Sequence, residues 1–254
     1  MVRPLAIVAL LLSHLACAEA PKSAPAPQYY TLALSWHPTL CLRMPSNPEC
    51  AADQPKSTLV FHGYWPERRQ DIKHDFAFCG VGEDVKAKDK ASWCSLDEVP
   101  PADKYDTSKL ADVLAAIDGV MPGRLTCLDK HEWWRHGTCS GLSAAEYFGT
   151  ANDLARRFLD SSFKSWLVNT AAGRTVKLSE TVAEFENAFG EGSGKALRLD
   201  CFTLQREGAQ EPSLKEIRVI LAPPRKDQGG LEWSQAEDYQ DSTCPGQFFV
   251  PPSL

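Results

Sequence analysis

Residues 130–139 read KHEWWRHGTC, a stretch that combines a helical pattern with a dense set of ionisable side chains. At about 100° per residue, an α-helix turns the indoles of Trp133 and Trp134 towards one side, where they suit a core. The opposite face then carries four ionisable side chains, those of His131, Glu132, Arg135 and His136. Gly137 is predicted to end the helix in the left-handed C′ conformation, and Cys139 could pin this end. We therefore interpret the stretch as a rigid helix that presents a catalytic surface.

The four ionisable side chains suit chemistry on a phosphate. Histidines accept and donate protons near neutral pH, and an arginine guanidinium is a permanent cation whose geometry matches phosphate oxygens. A helical His-Glu-x-x-His zinc site is the obvious alternative, but it requires histidines at positions i and i+4. His131 and His136 stand at i and i+5, which places them about 140° apart on an α-helix. This spacing argues against zinc, and an ordinary charged surface helix is the other alternative for the stretch taken alone.

The N-terminus has the pattern of an export signal. Arg3 precedes an apolar run at residues 5–12, and a small-x-small sequence ends at Ala20. We therefore expect residues 1–20 to be a signal peptide and residues 21–254 to be the mature domain. No later apolar run is long enough to span a membrane, so a secreted or periplasmic protein without stable membrane association is predicted.

The cysteines indicate an oxidising compartment. Cys17 lies in the predicted signal peptide, where acylation as in a lipoprotein is a minor alternative. The mature chain keeps an even number of cysteines, which are Cys41, Cys50, Cys79, Cys94, Cys127, Cys139, Cys201 and Cys244. An even set in an exported chain is typical of disulfides, and no Cys-x-x-Cys pair suggests structural zinc. Eight cysteines permit on the order of a hundred pairings, so spacing alone does not select one.

The net charge of −6 is not that of a protein built to adhere tightly to a polyanion. Removal of the predicted signal peptide leaves this charge unchanged, because it takes away one arginine and one glutamate. Nucleic acid would therefore have to meet a local basic patch near the histidines. The candidates for this patch are Arg68, Arg69, Lys73, Lys130 and Arg135.

The mature chain is predicted to form a single α+β domain, with a central antiparallel sheet packed against several helices and stapled by disulfides. Alternating or apolar runs predict strands at residues 28–36, 57–62, 196–205, 214–222 and 248–250, the second central and the last at an edge. Helical patterns and capping signals predict helices at residues 106–117, 130–137, 144–158, 162–169 and 181–189. Residues 67–104 lack apolar periodicity and are predicted to be loop with little regular structure.

The second informative stretch is FHGYWP, at residues 61–66. His62 is predicted to lie at the end of an apolar strand, before a turn at Gly63, which is a common position for a catalytic side chain. Taken alone, a histidine there is as often structural, and Tyr64 and Trp65 are more often core residues than base platforms. Together with the first stretch, two histidines from separate elements can flank a phosphodiester, one accepting and one donating a proton.

FHGYWP and HEWWRHGTC resemble the two active-site segments of the ribonuclease T2 family, whose patterns read roughly HGLWP and HEWxKHGxC. The segments occur in the family's order and about seventy residues apart, a combination that is far more specific than either segment alone. The first predicted strand, YTLALSW, and the predicted strand pair at residues 196–222 also resemble the family. The resemblance extends over residues 28–250, and its layout is most similar to that of the bacterial periplasmic members.

The resemblance implies a role for each matching residue. His62 and His136 would be the acid–base pair, with His136 as the base and His62 as the acid in the first step. His131 would hold phosphate, and Glu132 would support the transition state together with a neighbouring cation. That cation is Arg135 in this chain, where the family usually has lysine, and the change alters the shape and hydration of the charge.

The resemblance also bears on substrate binding and on the disulfides. Trp65 is the candidate to stack on a base, and Tyr64 stands where leucine is usual, so its hydroxyl could alter base preference. Glu67 could contact a base edge or be solvated, while His37 and His74 are expected to be structural or solvated. The family implies the pairs Cys79–Cys139 and Cys201–Cys244, and its bacterial members imply Cys41–Cys50 and Cys94–Cys127.

RNA supplies its own nucleophile, because the 2′-hydroxyl lies next to the phosphate. One histidine can withdraw the hydroxyl proton and another can protonate the leaving 5′-oxygen, while a cation stabilises the phosphoryl oxygens. We therefore predict a monomeric endoribonuclease, without metal or cofactor, that converts single-stranded RNA to 2′,3′-cyclic phosphate and then 3′-phosphate ends and spares DNA. A catalytically silent relative that binds RNA or a host factor is the alternative, and a metal-dependent hydrolase is a third.

Overall fold

The structure is a computed structural model that describes residues 26–54, 58–68, 76–101, 107–206, 208–224, 232–233 and 242–253. The predicted signal peptide lies outside these residues, as do Arg69, Lys73 and His74. Within the described part of the chain, no helix is both long and apolar enough to cross a membrane.

The strands form one mostly antiparallel sheet, and in chain order they are β1 (Tyr29–Trp36), β2 (Leu59–Glu67), β3 (Arg174–Lys177), β4 (Leu197–Arg206), β5 (Ala209–Leu221) and β6 (Gln247–Val250). β1 pairs antiparallel with both β2 and β5. β5 also pairs antiparallel with β4 and, through a single residue pair, parallel with β6, which pairs antiparallel with β3. The predicted α+β class with a central antiparallel sheet is confirmed.

Four strands differ from their predictions, and one of them is β5, which begins at Ala209 instead of residue 214. β2 lies at one end of the order β2-β1-β5-β6-β3 rather than in the centre, and it continues to Glu67 instead of ending at His62. β6 lies between β5 and β3, so it is not an edge strand. β3 was not predicted because only Val176 of its four residues is buried, and so short a segment shows no alternation.

The described residues contain seven α-helices, which are α1 (His37–Arg43), α2 (Glu83–Ala91), α3 (Thr107–Asp118), α4 (Leu128–His131), α5 (Ala144–Leu159), α6 (Ser162–Trp166) and α7 (Leu178–Phe189). α2 falls in the segment predicted to be loop, and α1 was not predicted. α2 consists largely of good helix formers but buries only Val85 and Asp89, so it has no apolar stripe that a periodicity analysis could detect. α3, α5, α6 and α7 agree with the predictions.

The helix α5 begins with the predicted capping box and packs against the start of the sheet. The Ser143 hydroxyl accepts a hydrogen bond from the Glu146 N–H (3.3 Å), and the Glu146 carboxylate accepts one from the Ser143 N–H (3.0 Å). Further along the helix, the buried Tyr147 hydroxyl donates to the Tyr64 carbonyl (2.7 Å). This hydrogen bond joins α5 to β2 within the core.

All four disulfides implied by the family resemblance are formed, and they are Cys41–Cys50, Cys79–Cys139, Cys94–Cys127 and Cys201–Cys244. Cys79–Cys139 ties the segment after β2 to the end of the 130–139 stretch. Cys94–Cys127 ties the segment after α2 to the start of α4. These two bridges tie neighbouring segments to both ends of the region at residues 127–139.

Candidate active site

A β-bulge in β2 sets the direction of the first predicted catalytic side chain. Leu34 of β1 lies opposite Phe61, whereas the adjacent Ala33 lies opposite Gly63. His62 is therefore the extra residue of the bulge, which is a common way to redirect a side chain beside an active site. The strand does not turn at Gly63, as the sequence suggested, but continues in pairing with β1.

The bulge also decides which of the following aromatic residues reach the site. Regular alternation would place His62 and Tyr64 on the same face of β2. Instead, the rings of His62 and Trp65 lie together with centroids 5.3 Å apart, and Tyr64 is buried, stacked on Tyr30 at 4.5 Å. With 1% of its surface exposed, Tyr64 is a core residue, so its prediction as a substrate-binding residue is wrong. Trp65 remains a candidate for stacking on a base.

Gly63 allows the two predicted motifs to approach each other closely. A Cβ atom at this position would lie 2.2 Å from Glu132 Oε2 and 2.3 Å from the indole nitrogen of Trp65. Only glycine leaves this space open. The glycine therefore serves the contact between β2 and the 130–139 stretch, not a turn.

The 130–139 stretch is not a regular α-helix. After α4 ends at His131, residues 132–136 form a π-helical turn in which the Gly137 N–H donates to the Glu132 carbonyl, five residues earlier. In this geometry residues at i and i+5 are neighbours, and the rings of His131 and His136 lie in edge-to-face contact with centroids 6.1 Å apart. The expectation that His131 and His136 lie too far apart to share a metal ion is therefore wrong, since one ligand atom each of His131, Glu132 and His136 lies within 4.8 Å of the others. That no metal takes part stays a prediction.

The role predicted for Gly137 is also wrong. Its backbone is right-handed (φ −56°, ψ −37°), and a 3₁₀ turn follows. A Cβ atom at this position would lie 2.4 Å from the ring of Trp133, which is buried against Tyr147 and Phe148. Gly137 is thus required by close packing of the indole, which lies in the core as predicted.

His62 is held by a carboxylate that the sequence motifs do not contain. Its Nδ1 lies 2.6 Å from Oε2 of Glu216 on β5, and its Nε2 lies 3.8 Å from Oε1 of Glu132. Burial lowers the pKa of His62, but the charge and hydrogen bond of Glu216, together with the charge of Glu132, raise it to about 9. At neutral pH His62 is therefore an imidazolium that can donate a proton.

Glu132 is almost fully buried between the two motifs. Its Oε2 accepts a hydrogen bond from the Trp65 indole (2.8 Å), and its Oε1 has no hydrogen-bond partner among the described residues. Burial raises the pKa of Glu132 to about 7, although the charge of His62 opposes this shift. A carboxyl of this kind is present in both protonation states near neutral pH.

The pKa of His136 is shifted downwards, in the opposite direction to that of His62. Its ring lies against Trp65 (centroids 5.4 Å apart), the same indole that His62 contacts. Burial and the positive charges of His131, Arg135 and His62 hold the pKa of His136 well below its usual range. At neutral pH this imidazole is uncharged and can accept a proton, so the two histidines suit the two halves of an acid–base reaction.

His131 lies in a pocket formed by the segment predicted to be loop. Its Nδ1 is 2.6 Å from Oδ1 of Asp89 on α2, and its ring stacks on Trp93 with centroids 4.5 Å apart. Burial lowers the pKa of His131, although the hydrogen bond and charge of Asp89 oppose this. A ring nitrogen of His131 also lies within 4.8 Å of ligand atoms of Glu132 and His136, so His131 belongs to the same site.

Of the candidates for the basic patch, the structure describes Arg68, Lys130 and Arg135, and the guanidinium of Arg68 lies 5.8 Å from the ring of Phe76. The guanidinium of Arg135 lies 5.5 Å from the ring of Phe78, and its backbone carbonyl accepts a hydrogen bond from the Phe78 N–H (2.7 Å). Lys130 instead pairs with Glu98 (2.7 Å). Lys215, which was not among the candidates, lines the space next to His62.

A cavity of about 190 Å³ opens beside His62. It lies between α1, β2, β5 and the turn at residues 122–126. Its lining includes both apolar and polar side chains, among them Ser35, Phe61, Trp93, Leu128 and Glu216. Apolar walls with a few polar groups suit a flat, hydrogen-bonding ligand such as a nucleobase.

The structure thus brings His62, Trp65, His131, Glu132 and His136 into one site and leaves Tyr64 out. It adds Glu216, Asp89 and Trp93, which sequence reasoning missed. A glycine inside an apolar strand can signal a bulge, so Gly63 could have indicated the strand irregularity. A single glutamate in the apolar run LKEIRVIL could have pointed to Glu216 as a buried, paired carboxylate. Asp89 could not be recognised in this way, because its neighbours in the sequence are mostly charged.

The chain is similar in sequence and in fold to known ribonucleases. Ribonuclease I of Escherichia coli (strain K12) is 26% identical over 198 residues, covering 68% of this chain and 69% of that protein. A ribonuclease of Aeromonas hydrophila is 26% identical over 164 residues, covering 65% of this chain and 61% of that protein. Ribonuclease MC1 from bitter gourd seeds shares the fold, with a TM-score of 0.59 at 18% identity over 87% of this chain and 99% of that chain. A variant of ribonuclease MC1 has been solved in complex with 5′-UMP, with the same TM-score.

The family comparison covers most of the chain. The family model described as the ribonuclease T2 family matches residues 27–232, which include both motif stretches, Glu216 and Asp89. The two motifs therefore meet in one site, where the pKa values of two histidines are shifted in opposite directions. Both the fold and the sequence match those of known ribonucleases. The chain belongs to the ribonuclease T2 family.

Proposed function

We propose that this ribonuclease cleaves single-stranded RNA internally and without a metal, with His136 as the base and His62 as the acid of the first step. The observation that carries the proposal is that His62 and His136 contact the same indole, Trp65, from surroundings that shift their pKa values in opposite directions. An acid and a base must both be in the correct state at the working pH, and these two rings meet that condition near neutrality.

In the first step, neutral His136 takes the proton of the ribose 2′-hydroxyl, and the 2′-oxygen forms a bond to phosphorus. The bond from phosphorus to the 5′-oxygen breaks, and protonated His62 gives its proton to that oxygen. The product is a 2′,3′-cyclic phosphate. In the second step the roles reverse: His62 activates water, and His136 protonates the departing 2′-oxygen, which leaves a 3′-phosphate.

Charge on the phosphoryl oxygens is stabilised by residues of the π-helical turn and by His131 at the end of α4. Arg135 supplies a permanent cation, and His131 presents the nitrogen opposite to its Asp89 contact. Glu132, whose pKa is raised to about 7, is partly protonated at neutral pH and can then donate a hydrogen bond to phosphate. Groups aimed in advance at the developing charge lower the barrier without reorganising during the reaction.

The substrate features follow from the chemistry and from the space available. The 2′-hydroxyl is the nucleophile, so DNA is not cleaved. Single-stranded RNA offers unstacked bases, for which the Trp65 ring and the cavity beside His62 provide an aromatic surface and a partly apolar slot. The four disulfides support export through a signal peptide at residues 1–20 to the periplasm or the medium, where the protein acts as a monomer.

The test is cleavage of a defined RNA oligonucleotide in excess EDTA by wild type, His62→Ala and His136→Ala. We expect a cyclic-phosphate product from wild type and rates at least ~10²-fold lower from both variants. The same oligonucleotide with one 2′-deoxy residue is the control, and it should resist cleavage at that position alone. Loss of cleavage in EDTA would favour a metal-dependent hydrolase. Binding without cleavage by the correctly bridged wild type would favour the catalytically silent alternative.

A further inference from the structure

We propose that Glu216 is a positioning residue for RNA cleavage, which fixes the ring of His62 in one orientation and one tautomer and directs its Nε2–H to the leaving oxygen. The inference rests on the proposed function, because it gives Glu216 a task only in relation to His62 as the acid. Glu216 lies 154 positions after His62, on β5, and outside both motif stretches.

The contact determines where the protons of His62 can be. Oε2 of Glu216 lies 2.6 Å from Nδ1, the short distance of a charge-assisted hydrogen bond. A carboxylate only accepts, so Nδ1 carries a proton in both protonation states of the ring. The proton that can be transferred is therefore confined to Nε2, on the opposite side of the imidazole.

The side chain of His62 is 30% exposed, so a substrate oxygen can reach the ring. Oε1 of Glu132 is 3.8 Å from Nε2, which is too far for a hydrogen bond. The same distance still lets the carboxylate favour the charged ring. Glu132 thus stabilises the imidazolium without holding the proton that has to leave, and the hydrogen bond to Glu216 fixes the ring.

Glu216 is itself held rigidly. It is 3% exposed and lies beside Ser35 of the intervening strand β1, whose hydroxyl donates to it. Its other oxygen lies 3.5 Å from Arg218, which also pairs with Asp200 on β4. The His62–Glu216 contact therefore spans β2, β1 and β5, and the sheet sets its geometry.

The charges around the pair come from β5, from the end of α4 and from the π-helical turn, and they are Lys215, Arg218, His131, Glu132, Arg135 and His136. Burial and Lys215 disfavour the charged form of His62, whereas Glu216 and Glu132 favour it. Neutralising Glu216 removes the larger of the two favourable contributions, so the pKa of His62 falls. A side chain with a purely structural role would not cause this change.

The experiment measures kcat and KM against pH for an RNA dinucleotide with wild type, Glu216→Gln and Glu216→Asp. For Glu216→Gln we expect kcat to fall by ~10- to 100-fold at about pH 8, with little change in KM. The loss should shrink to less than about threefold at about pH 5, where His62 is protonated in both proteins. Glu216→Asp keeps the charge, so its rate should fall without a shift of the alkaline limb.

Glu211→Gln is the matched control, because Glu211 lies on the same strand but contacts Thr175 instead of His62, and its profile should match wild type. An equal loss at every pH in Glu216→Gln, or an unchanged profile, overturns the proposal. If that variant does not fold, the ring ¹⁵N shifts of His62 in wild type decide: a neutral ring protonated at Nδ1 supports the proposal and one protonated at Nε2 overturns it. Full activity of His62→Ala would instead refute the proposed function.

Discussion

Two buried carboxylates hold two histidines of the site by their Nδ1 atoms. Glu216 contacts His62 and Asp89 contacts His131, each at 2.6 Å, and both carboxylates are buried. A buried carboxylate is costly unless it is paired, so each pair defines a ring orientation as well as a charge. Single residues therefore control which nitrogen of each histidine faces the substrate.

Gly63→Ala tests the close approach of the two motifs at the scale of one methyl group. The added Cβ would overlap both Glu132 and Trp65, so the hydrogen bond between them must break. We expect the rate of RNA cleavage to fall by about 10²-fold, because the carboxylate and the indole are displaced. The free energy of unfolding should fall by about 1–3 kcal/mol, as measured by denaturant titration.

Gly246→Ala is the control for this prediction, because a Cβ atom there meets no neighbour among the described residues. Wild-type activity in Gly63→Ala would mean that the contact between Glu132 and Trp65 is dispensable for the reaction.

The motif residues of the site could be predicted, but their partners could not. His62, Glu132 and His136 follow from two short stretches that a family resemblance makes specific. Glu216 and Asp89 lie 154 and 42 positions from the histidines they hold, and only the fold brings them together. Tyr64 was misplaced because a single bulged residue reverses the alternation that follows it.

At the scale of elements, the site is built where regular geometry is interrupted. The bulge in β2 turns His62 and Trp65 to the same side, and the π-helical turn brings His131 beside His136. Both irregularities add one residue to a regular repeat, and such insertions are common at functional sites. Periodicity analysis assumes the regular repeat, so it predicted a strand and a helix but gave the wrong directions for these side chains.

The helix α2 has a specific task in this arrangement, and Asp89→Asn tests it. Removing the carboxylate lowers the pKa of His131 further, because the charge and hydrogen bond of Asp89 raise it. The larger loss is the Nδ1 contact that orients the ring, so we expect KM for RNA to rise by about tenfold with a smaller change in kcat. Steady-state kinetics on a dinucleotide measure both constants.

Asp84→Asn, an exposed position on the same helix, should leave both constants unchanged. A fall in kcat with an unaltered KM in Asp89→Asn would contradict a phosphate-binding role for His131.

For the molecule as a whole, composition and family resemblance predicted the class of fold and all four disulfides. The bridge Cys79–Cys139 closes a loop of 60 residues and stabilises the fold by about 4 kcal/mol in a chain-entropy estimate. The overall charge of −6 leaves the attraction of RNA to a few cations at the site. Composition and cysteine content therefore define the scaffold, while the chemistry depends on the bulge in β2 and on the π-helical turn.

The central claim is that the acid and the base are set by opposite protonation of His62 and His136, and an NMR titration of the histidine rings tests it most directly. The mature, disulfide-bonded protein is titrated from about pH 4 to about pH 10, with resonances assigned from His62→Ala and His136→Ala. The account predicts that His62 loses its proton at about pH 9 and that His136 stays neutral to well below the usual histidine range. Titration of both rings near the usual value of about 6.5, or in the reverse order, would contradict it.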